Sequence, residues 1–297
     1  MMRRIAACLL CASLLVLASS AGAFVYGPEG QGNPYWVPAV PDELMPTMNG
    51  DVSDWEWMPS HWVWTPENFP GRMLGTGEFD WDRDIFDFQV YGPVWFPATN
   101  MYGFAQRKHD SVFYIGDGDL FDWRAETNQW CVNPSGEGGP YPEGRTAQQN
   151  LYHLLDEQGG NTGFVGTFQH GMDERFRWIW YPPYAYWGIT ADIVTGSHEF
   201  EIMHTLFLYV GDSPEESTIL EIEPGWSIGC TLQSKDRDDP DETIRGIAWH
   251  FAEPSVDSGN FARCEMMPVS ETYAALEAEP PTAVESTSWG MIKSLME

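Results

Sequence analysis

Hydrophobic and polar residues alternate with a period of two along several short stretches of the chain. Within residues 198–210, Phe200 and Ile202 share one face, and polar residues such as Glu201 occupy the other. The same alternation recurs in residues 226–232. This pattern is what a β-strand with one buried face requires. It predicts strands whose second face is solvated.

Turn-forming sequences separate these stretches, and helical periodicity is scarce. Helical spacing is confined to residues 146–157, which fit a strand and a loop equally well, and to residues 288–296. Many short strands with turns between them predict an all-β, antiparallel β-sandwich of the jelly-roll or immunoglobulin-like kind. The intervening clusters are rich in Gly, Pro, Asp, Asn and Ser, as in NPSGEGG, EQGGNTG, DSPEES and KDRDDPDE.

The N-terminus has the features of a signal peptide. Arg3 and Arg4 precede an apolar run of about 13 residues, and Ala21-Gly22-Ala23 forms a cleavage motif. The run is too short for a transmembrane helix, which needs about 20 apolar residues. We therefore expect cleavage after Ala23, no transmembrane segment afterwards, and a secreted, periplasmic or cell-surface protein.

The rest of the chain divides by composition. Residues 24–46 are rich in Gly and Pro and are expected to form an extended lead-in that clings to the domain. Residues 47–270 are expected to form the sandwich. Residues 271–297 are expected to form a linker and a short C-terminal helix, because a Pro/Ala/Glu-rich stretch precedes the helical spacing.

Charge limits the partners. The chain has 15 Lys and Arg against 44 Asp and Glu, which gives a formal net charge of −29. Such a protein repels phosphate backbones and anionic lipid, so we expect neither nucleic acid nor an anionic membrane surface as a partner. Neutral ligands, cations and glycans remain.

The cysteines that remain after signal cleavage are odd in number. Cys131, Cys230 and Cys264 allow at most one internal disulfide. A bridge between Cys230 and Cys264 is compatible with their positions on apolar strand faces, but the sequence leaves the pairing open. No zinc or covalent-haem spacing is present.

Aromatic residues are concentrated in one segment. Residues 176–187 contain seven aromatic residues in twelve positions. Strand alternation would turn about half of them outward, and exposed Trp and Tyr rings suit the C–H faces of sugar rings. The alternative is that the rings fill the sandwich core. The candidate carbohydrate-binding residues are Trp123, Trp178, Trp180, Tyr184 and Trp187.

An acidic turn follows one predicted strand. Asp236, Asp238 and Asp239 are closely spaced there, and their carboxylates are suitable ligands for Ca²⁺ in an exported protein. The turn lacks the glycine and the terminal glutamate of an EF-hand. The alternative is an acidic loop that is only solvated.

One segment carries a family resemblance. Residues 48–55, MNGDVSDW, predict a turn in which Asn49-Gly50 takes positive φ, Asp51 and Asp54 accept backbone hydrogen bonds, and Trp55 packs on the core. The segment resembles the opening of family 9 carbohydrate-binding modules and of the DOMON-like group. Further loose matches follow in order over residues 46–270. The resemblance implies a sugar-binding β-sandwich.

Catalytic motifs are missing from the sequence. No nucleophile elbow, metalloprotease helix or Cys–His pairing is present, and no carboxylate spacing indicates a glycosidase. His204, on an apolar strand face, is interpreted as a core histidine with its hydrogen bonds satisfied. The DOMON-like resemblance leaves non-covalent haem binding as a further alternative.

Together these features predict an exported, non-catalytic protein that recognises a polysaccharide or a cell-surface glycan by aromatic stacking, with Ca²⁺ as a possible stabilising ion. The alternative from another class is a structural or adhesive module of the cell envelope without a small ligand.

Overall fold

The structure, a computed structural model, is an antiparallel β-sandwich, as predicted. Two sheets face each other, and a short hairpin and one helix lie beside them. The residues that the structure describes are 35–65, 72–74, 86–109, 127–134, 149–155, 161–167, 178–179, 181–192, 196–236, 245–249 and 262–278.

The larger sheet has eight strands. Its main path runs through β1 (Tyr35–Val37), β15 (Ala262–Met266), β13 (Ser227–Asp236), β6 (Thr127–Asn133), β7 (Gln149–Leu155) and β8 (Asn161–Thr167). Beside β13 lie β14 (Arg245–Trp249) and its partner β3 (Arg72–Leu74). All pairs are antiparallel except β1 with β15, which is parallel. Of the two readings of residues 146–157, the strand is the one observed.

The smaller sheet has five strands. Their order is β2 (Val63–Trp64), β4 (Phe86–Phe96), β5 (Met101–His109), β10 (Ser197–Thr205) and β9 (Ala185–Asp192). A separate hairpin joins β11 (Phe207–Tyr209) and β12 (Thr218–Ile219). Short 3-10 helices include Asp42–Leu44, Val52–Trp55, Ser60–Trp62 and Pro214–Glu216.

One α-helix, α1 (Val269–Ala278), lies close to the C-terminus. The sequence pattern did not identify it. The helix expected at residues 288–296 lies outside the described residues, as do the predicted signal peptide and its cleavage site. In the part of the chain that the structure describes, no helix is long and apolar enough to cross a bilayer.

The inner core fills the space between the two sheets. Phe104 of β5 stacks on Trp130 of β6, with ring centroids 4.2 Å apart and planes 17° from parallel. Cys230 and Cys264 form a disulfide that links β13 to β15, and both are fully buried. This pairing resolves the question that the sequence left open.

A second core lies on the outer face of the smaller sheet. Residues 40–62 cover this face and bury Trp55, Trp57 and Trp62 against it. Leu276 of α1 joins the same cluster. The expectation of a solvated second face is therefore wrong for β10. A third layer of chain, which the strand alternation could not reveal, covers that face.

Candidate functional site

Two of the predicted aromatic residues come together at one end of the sandwich. Trp178 and Tyr184 pack edge to face, with ring centroids 4.9 Å apart. Both rest on buried Phe207 of β11, at 5.5 Å and 5.8 Å respectively. The Thr205 amide donates to the Tyr184 carbonyl at 2.8 Å, which fixes the start of β9 against the end of β10. The cluster is therefore held by both strands.

Tyr181 is joined to this group through the backbone and is exposed to solvent. Its carbonyl accepts hydrogen bonds from the Tyr184 and Ala185 amides, at 3.0 Å and 3.2 Å, which closes a turn. Its side chain is 45% exposed, and Trp178 and Tyr184 are each partly exposed. We call Trp178, Tyr181, Tyr184 and Phe207 the aromatic end cluster.

The indole nitrogen of Trp178 does not contribute to a surface site. It is buried and has no hydrogen-bond partner among the described residues, as is also the case for the Trp57 indole in the second core. Because the nitrogen is buried, a sugar on the surface of the cluster would not reach it.

The other predicted stacking residues do not join this cluster in the described structure. Trp187 lies further along β9, on the inner face opposite Ile202, and is partly buried against the inner core. Trp123 and Trp180 lie outside the described residues. The structure therefore brings together Trp178 and Tyr184 only.

Of the predicted calcium residues, Asp236 is the last residue of β13. Trp226, just before β13, lies beside Met266 at the end of β15. The ten residues of β13 therefore place Asp236 about 30 Å from Trp226.

The structure does not describe the rest of the acidic turn. Asp238 and Asp239 lie outside the described residues, and only the backbone of Asp236 is described. Within the described ranges, no three His, Cys, Asp or Glu side chains form a group suited to a metal ion. The calcium site stays a prediction.

The segment that carries the family resemblance anchors the third layer. The Glu201 carboxylate, fully buried on β10, accepts hydrogen bonds from the Asn49 amide, the Gly50 amide at 2.7 Å and the Trp55 indole at 2.8 Å. Burial raises the pKa of the Glu201 carboxyl, and these three donors oppose that shift. Its role in the described structure is to hold residues 49–55 on the sheet.

The details of this turn match the sequence interpretation. Gly50 has φ +87°, Asp51 accepts from the Ser53 amide at 3.0 Å, and Asp54 accepts from the Thr47 amide at 3.0 Å. Trp55 is buried in the second core. The residues therefore form the predicted turn.

Charged residues near Glu201 also hold residues 49–55 against the smaller sheet. Arg107 of β5 pairs with Glu199 of β10 at 2.7 Å and with Glu56 at 3.4 Å. Glu199 also accepts from the Val52 amide at 3.0 Å. These charges are thus committed to holding the covering segment in place.

His204 lies in the inner core, as predicted, but its hydrogen bonds are not satisfied there. Its ring is edge-on to Tyr102 at 6.0 Å, and neither ring nitrogen has a hydrogen-bond partner among the described residues. Burial lowers the pKa of His204 to about 3, so the imidazole is neutral at pH 7. Because the ring is fully buried, it could ligate a haem only by displacing the packed core.

The sequence interpretation missed an exposed tryptophan on the larger sheet. Trp36 of β1 is 46% exposed and lies opposite Glu265 of β15. Glu265 in turn pairs with Arg263 at 3.2 Å. Strand β1 has three residues, too few to show alternation in the sequence. In its neighbour β15, burial does alternate with a period of two along Arg263, Cys264 and Glu265.

Comparisons with known proteins give structural similarity only. No family model and no curated protein matches the sequence. The fold is similar to a family 9 carbohydrate-binding module from Caldicellulosiruptor kristjanssonii in complex with cellotriose, with a TM-score of 0.45 and 10% identity, covering 78% of this chain and 93% of that chain. A family 9 module from that organism in complex with glucose gives a TM-score of 0.46 and 10% identity, covering 78% and 94%.

Proposed function

We propose that this protein is exported and binds a neutral carbohydrate by aromatic stacking, without chemical turnover. The observation that carries the proposal is the exposed ring of Tyr181 in the turn that leads to Tyr184, whose partly exposed ring packs on Trp178. Phe207 contacts the rings of Trp178 and Tyr184 from the core side. These rings are steeply inclined to one another, so the surface offered to a ligand is the exposed Tyr181 ring, whose apolar face and hydroxyl suit a sugar ring.

The polar groups of the cluster fit the same ligand class. The Tyr181 hydroxyl can donate to and accept from sugar hydroxyls. The net charge of −29 disfavours acidic glycans, because their carboxylates or sulfates would be repelled. A neutral polysaccharide or cell-surface glycan is therefore the favoured partner.

The use of the carboxylates on β10 supports a binding role without turnover. Glycoside hydrolysis requires two carboxyl groups on either side of one bond. Glu199 and Glu201 are adjacent on one face of β10, but both are bound by residues 49–55. These groups are structural, and we assign no catalytic role to them.

Calcium, if it binds at Asp236, Asp238 and Asp239, would stabilise the chain that follows β13. None of these residues belongs to the aromatic end cluster. We therefore expect chelation with EDTA to leave carbohydrate affinity unchanged and at most to lower thermal stability.

Affinity electrophoresis tests the proposal. The protein is run in gels that contain hydroxyethylcellulose, xyloglucan or galactomannan, all neutral, with polygalacturonate as an acidic control. We expect retardation by at least one neutral polymer, and about tenfold weaker binding for Tyr181→Ala, since loss of a stacked ring that contributes about 1.4 kcal/mol weakens binding tenfold.

A matched control separates stacking from general surface effects. Tyr209 is exposed to a similar extent but lies on β11, outside the turn that joins Tyr181 to Tyr184, so Tyr209→Ala should migrate like the wild type. Tyr181→Ala removes an exposed ring and should remain folded. Equal mobility of the wild-type protein with and without every neutral polymer would favour a structural module instead.

A further inference from the structure

The larger sheet carries a second exposed aromatic surface, separate from the aromatic end cluster. Trp36 and Ser227 both lie opposite Glu265, one on each side of β15. These three residues therefore form one row across the outer face, and Arg263 lies next to Glu265 on that face. Two strand spacings, about 10 Å, separate the ends of the row. We call Trp36, Ser227, Arg263 and Glu265 the Trp36 face.

The polar members of the Trp36 face hold one another in position. The Arg263 guanidinium donates to the Ser227 hydroxyl at 3.1 Å and to the Glu265 carboxylate at 3.2 Å. Both charged side chains keep part of their surface exposed. They thus present donors and acceptors beside the indole, and their charges cancel locally.

The packing of β1 does not account for the indole. Tyr35 packs inward edge-on to Trp64 at 5.3 Å, and Val37 is fully buried in the inner core. Alternation sends only Trp36 outward, to a position on an edge strand where solvent-exposed or charged side chains are usual. The fold does not require a large aromatic ring at this position, and the exposed indole of Trp36 is therefore available to bind a ligand.

Another exposed tryptophan lies just before β13. Trp226, 39% exposed, immediately precedes Ser227. The Met266 amide donates to the Trp226 carbonyl at 2.9 Å, which ties this residue to the end of β15. Because residues alternate between the two faces of a sheet, Trp226 falls on the side of Ile228 and not on that of Ser227, so it does not belong to the Trp36 face.

We infer that the Trp36 face is a second carbohydrate-binding surface, which takes a neutral polysaccharide chain lying across β1, β15 and β13. Trp36 would stack on a sugar ring, and Arg263 and Glu265 would bind its hydroxyls. The Arg–Glu pair has no net charge and the whole chain is strongly acidic, which favours a neutral polymer over an anionic one. The inference rests on the proposed function for its ligand class, but not on the aromatic end cluster.

Two sites on one protein have a measurable consequence. Contacts at the second site become effectively intramolecular once the first site is bound, so retention on a polymer exceeds that of either site alone. Losing Trp36 should therefore weaken retention on polysaccharide about tenfold or more, even when the aromatic end cluster is intact.

The test uses affinity gels with hydroxyethylcellulose, xyloglucan and galactomannan. Trp36→Ala and Glu265→Gln are compared with Tyr209→Ala, each in the wild-type background and in the Trp178→Ala/Tyr181→Ala background. Tyr181→Ala alone replaces the double background if circular dichroism shows the latter to be unfolded. In that background we expect residual binding, which Trp36→Ala lowers by about a further tenfold.

The outcomes separate this inference from the proposed function. If the Trp178→Ala/Tyr181→Ala protein is folded but binds nothing while the wild type binds, the Trp36 face is not a site and the proposed function stands. If Trp36→Ala abolishes binding and Tyr181→Ala does not, the Trp36 face stands and the end cluster is wrongly assigned. No binding by the wild type overturns both. A wild-type dimer that Trp36→Ala converts to a monomer would instead make this face an interface between copies.

Discussion

The outer face of the smaller sheet and the outer face of the larger sheet at β1 and β15 use opposite chemistry. On the smaller sheet, Glu199 and Glu201 face outward and are covered by residues 40–62. On the larger sheet, Trp36 faces outward and is exposed. Carboxylates are usually solvent-exposed, but those of Glu199 and Glu201 hold the covering segment in place. An indole is usually buried, but that of Trp36 is accessible to solvent.

This difference shows why residue type alone does not identify a binding surface. Many of the tryptophans are buried because a third layer provides a second core for Trp55, Trp57 and Trp62. Among the described residues, the exposed aromatic side chains are Trp36, Tyr181, Tyr209 and Trp226.

Removal of the Glu201 carboxylate is expected to have the largest effect on the covered face. Glu201→Ala leaves the Asn49 and Gly50 amides and the Trp55 indole without their acceptor. We expect a loss of about 3–5 kcal/mol in the free energy of unfolding, measured by denaturant titration. Glu265→Ala, on the open face, is the control and should cost less than about 1 kcal/mol. Similar losses for the two variants would contradict the contrast between the faces.

Loss of the disulfide behind the open face should have a somewhat smaller effect. Cys264 lies between Arg263 and Glu265, and its bridge to Cys230 closes a loop with a sequence separation of 34. The double variant Cys230→Ala/Cys264→Ala should lose roughly 3 kcal/mol, because the unfolded chain regains the entropy of that loop. Thermal unfolding with and without reductant checks this. A wild-type protein that is insensitive to reductant at its unfolding midpoint would argue against the bridge.

Substitutions at two glycines, one under the covering layer and one beside Trp226, should have smaller effects on stability that differ between the two faces. A Cβ atom at Gly188 would collide with the backbone of Asn49 and Gly50, so Gly188→Ala should cost roughly 1–3 kcal/mol and loosen the covering layer. Gly225, beside Trp226, has φ +82° but open space around it. Gly225→Ala should cost only the backbone strain, about 1 kcal/mol. Hydrogen exchange of residues 49–55 should rise in the first variant and not in the second.

Fluorescence quenching should show the smallest effect, but it compares the solvent accessibility of the tryptophans on the two faces directly. Acrylamide should quench the emission of Trp36 and Trp226 readily and that of buried Trp55 poorly. Trp36→Phe and Trp226→Phe should each reduce the accessible fraction, whereas Trp55→Phe should leave it nearly unchanged. An accessible fraction that Trp36→Phe does not alter would mean that this indole is covered.

The strands of the sandwich could be predicted because their signal is local. Period-two alternation located β10 and β13, and the Asn-Gly dipeptide with its flanking aspartates located the turn in residues 48–55. These patterns depend on backbone preferences and on burial of one strand face, and both are visible within a few consecutive residues of the sequence.

The third layer and the Trp36 face could not be predicted, because they depend on contacts between distant segments. Glu201 alternates as a solvent-facing residue would, and only the arrival of Asn49 and Trp55, about 150 residues earlier in sequence, buries it. The contact of Trp178 and Tyr184 with Phe207 likewise depends on how β9, β10 and β11 meet. Helix α1 was missed for the same reason, since Leu276 is buried by the second core.

The central claim is that the accessible rings bind a neutral carbohydrate, and isothermal titration calorimetry with the neutral polymer that retards the protein most tests it directly. The account predicts saturable binding by the wild type and a loss of about a hundredfold in Tyr181→Ala/Trp36→Ala, if each ring contributes about tenfold. A double variant that binds as tightly as the wild type, with an unchanged unfolding midpoint, would contradict it.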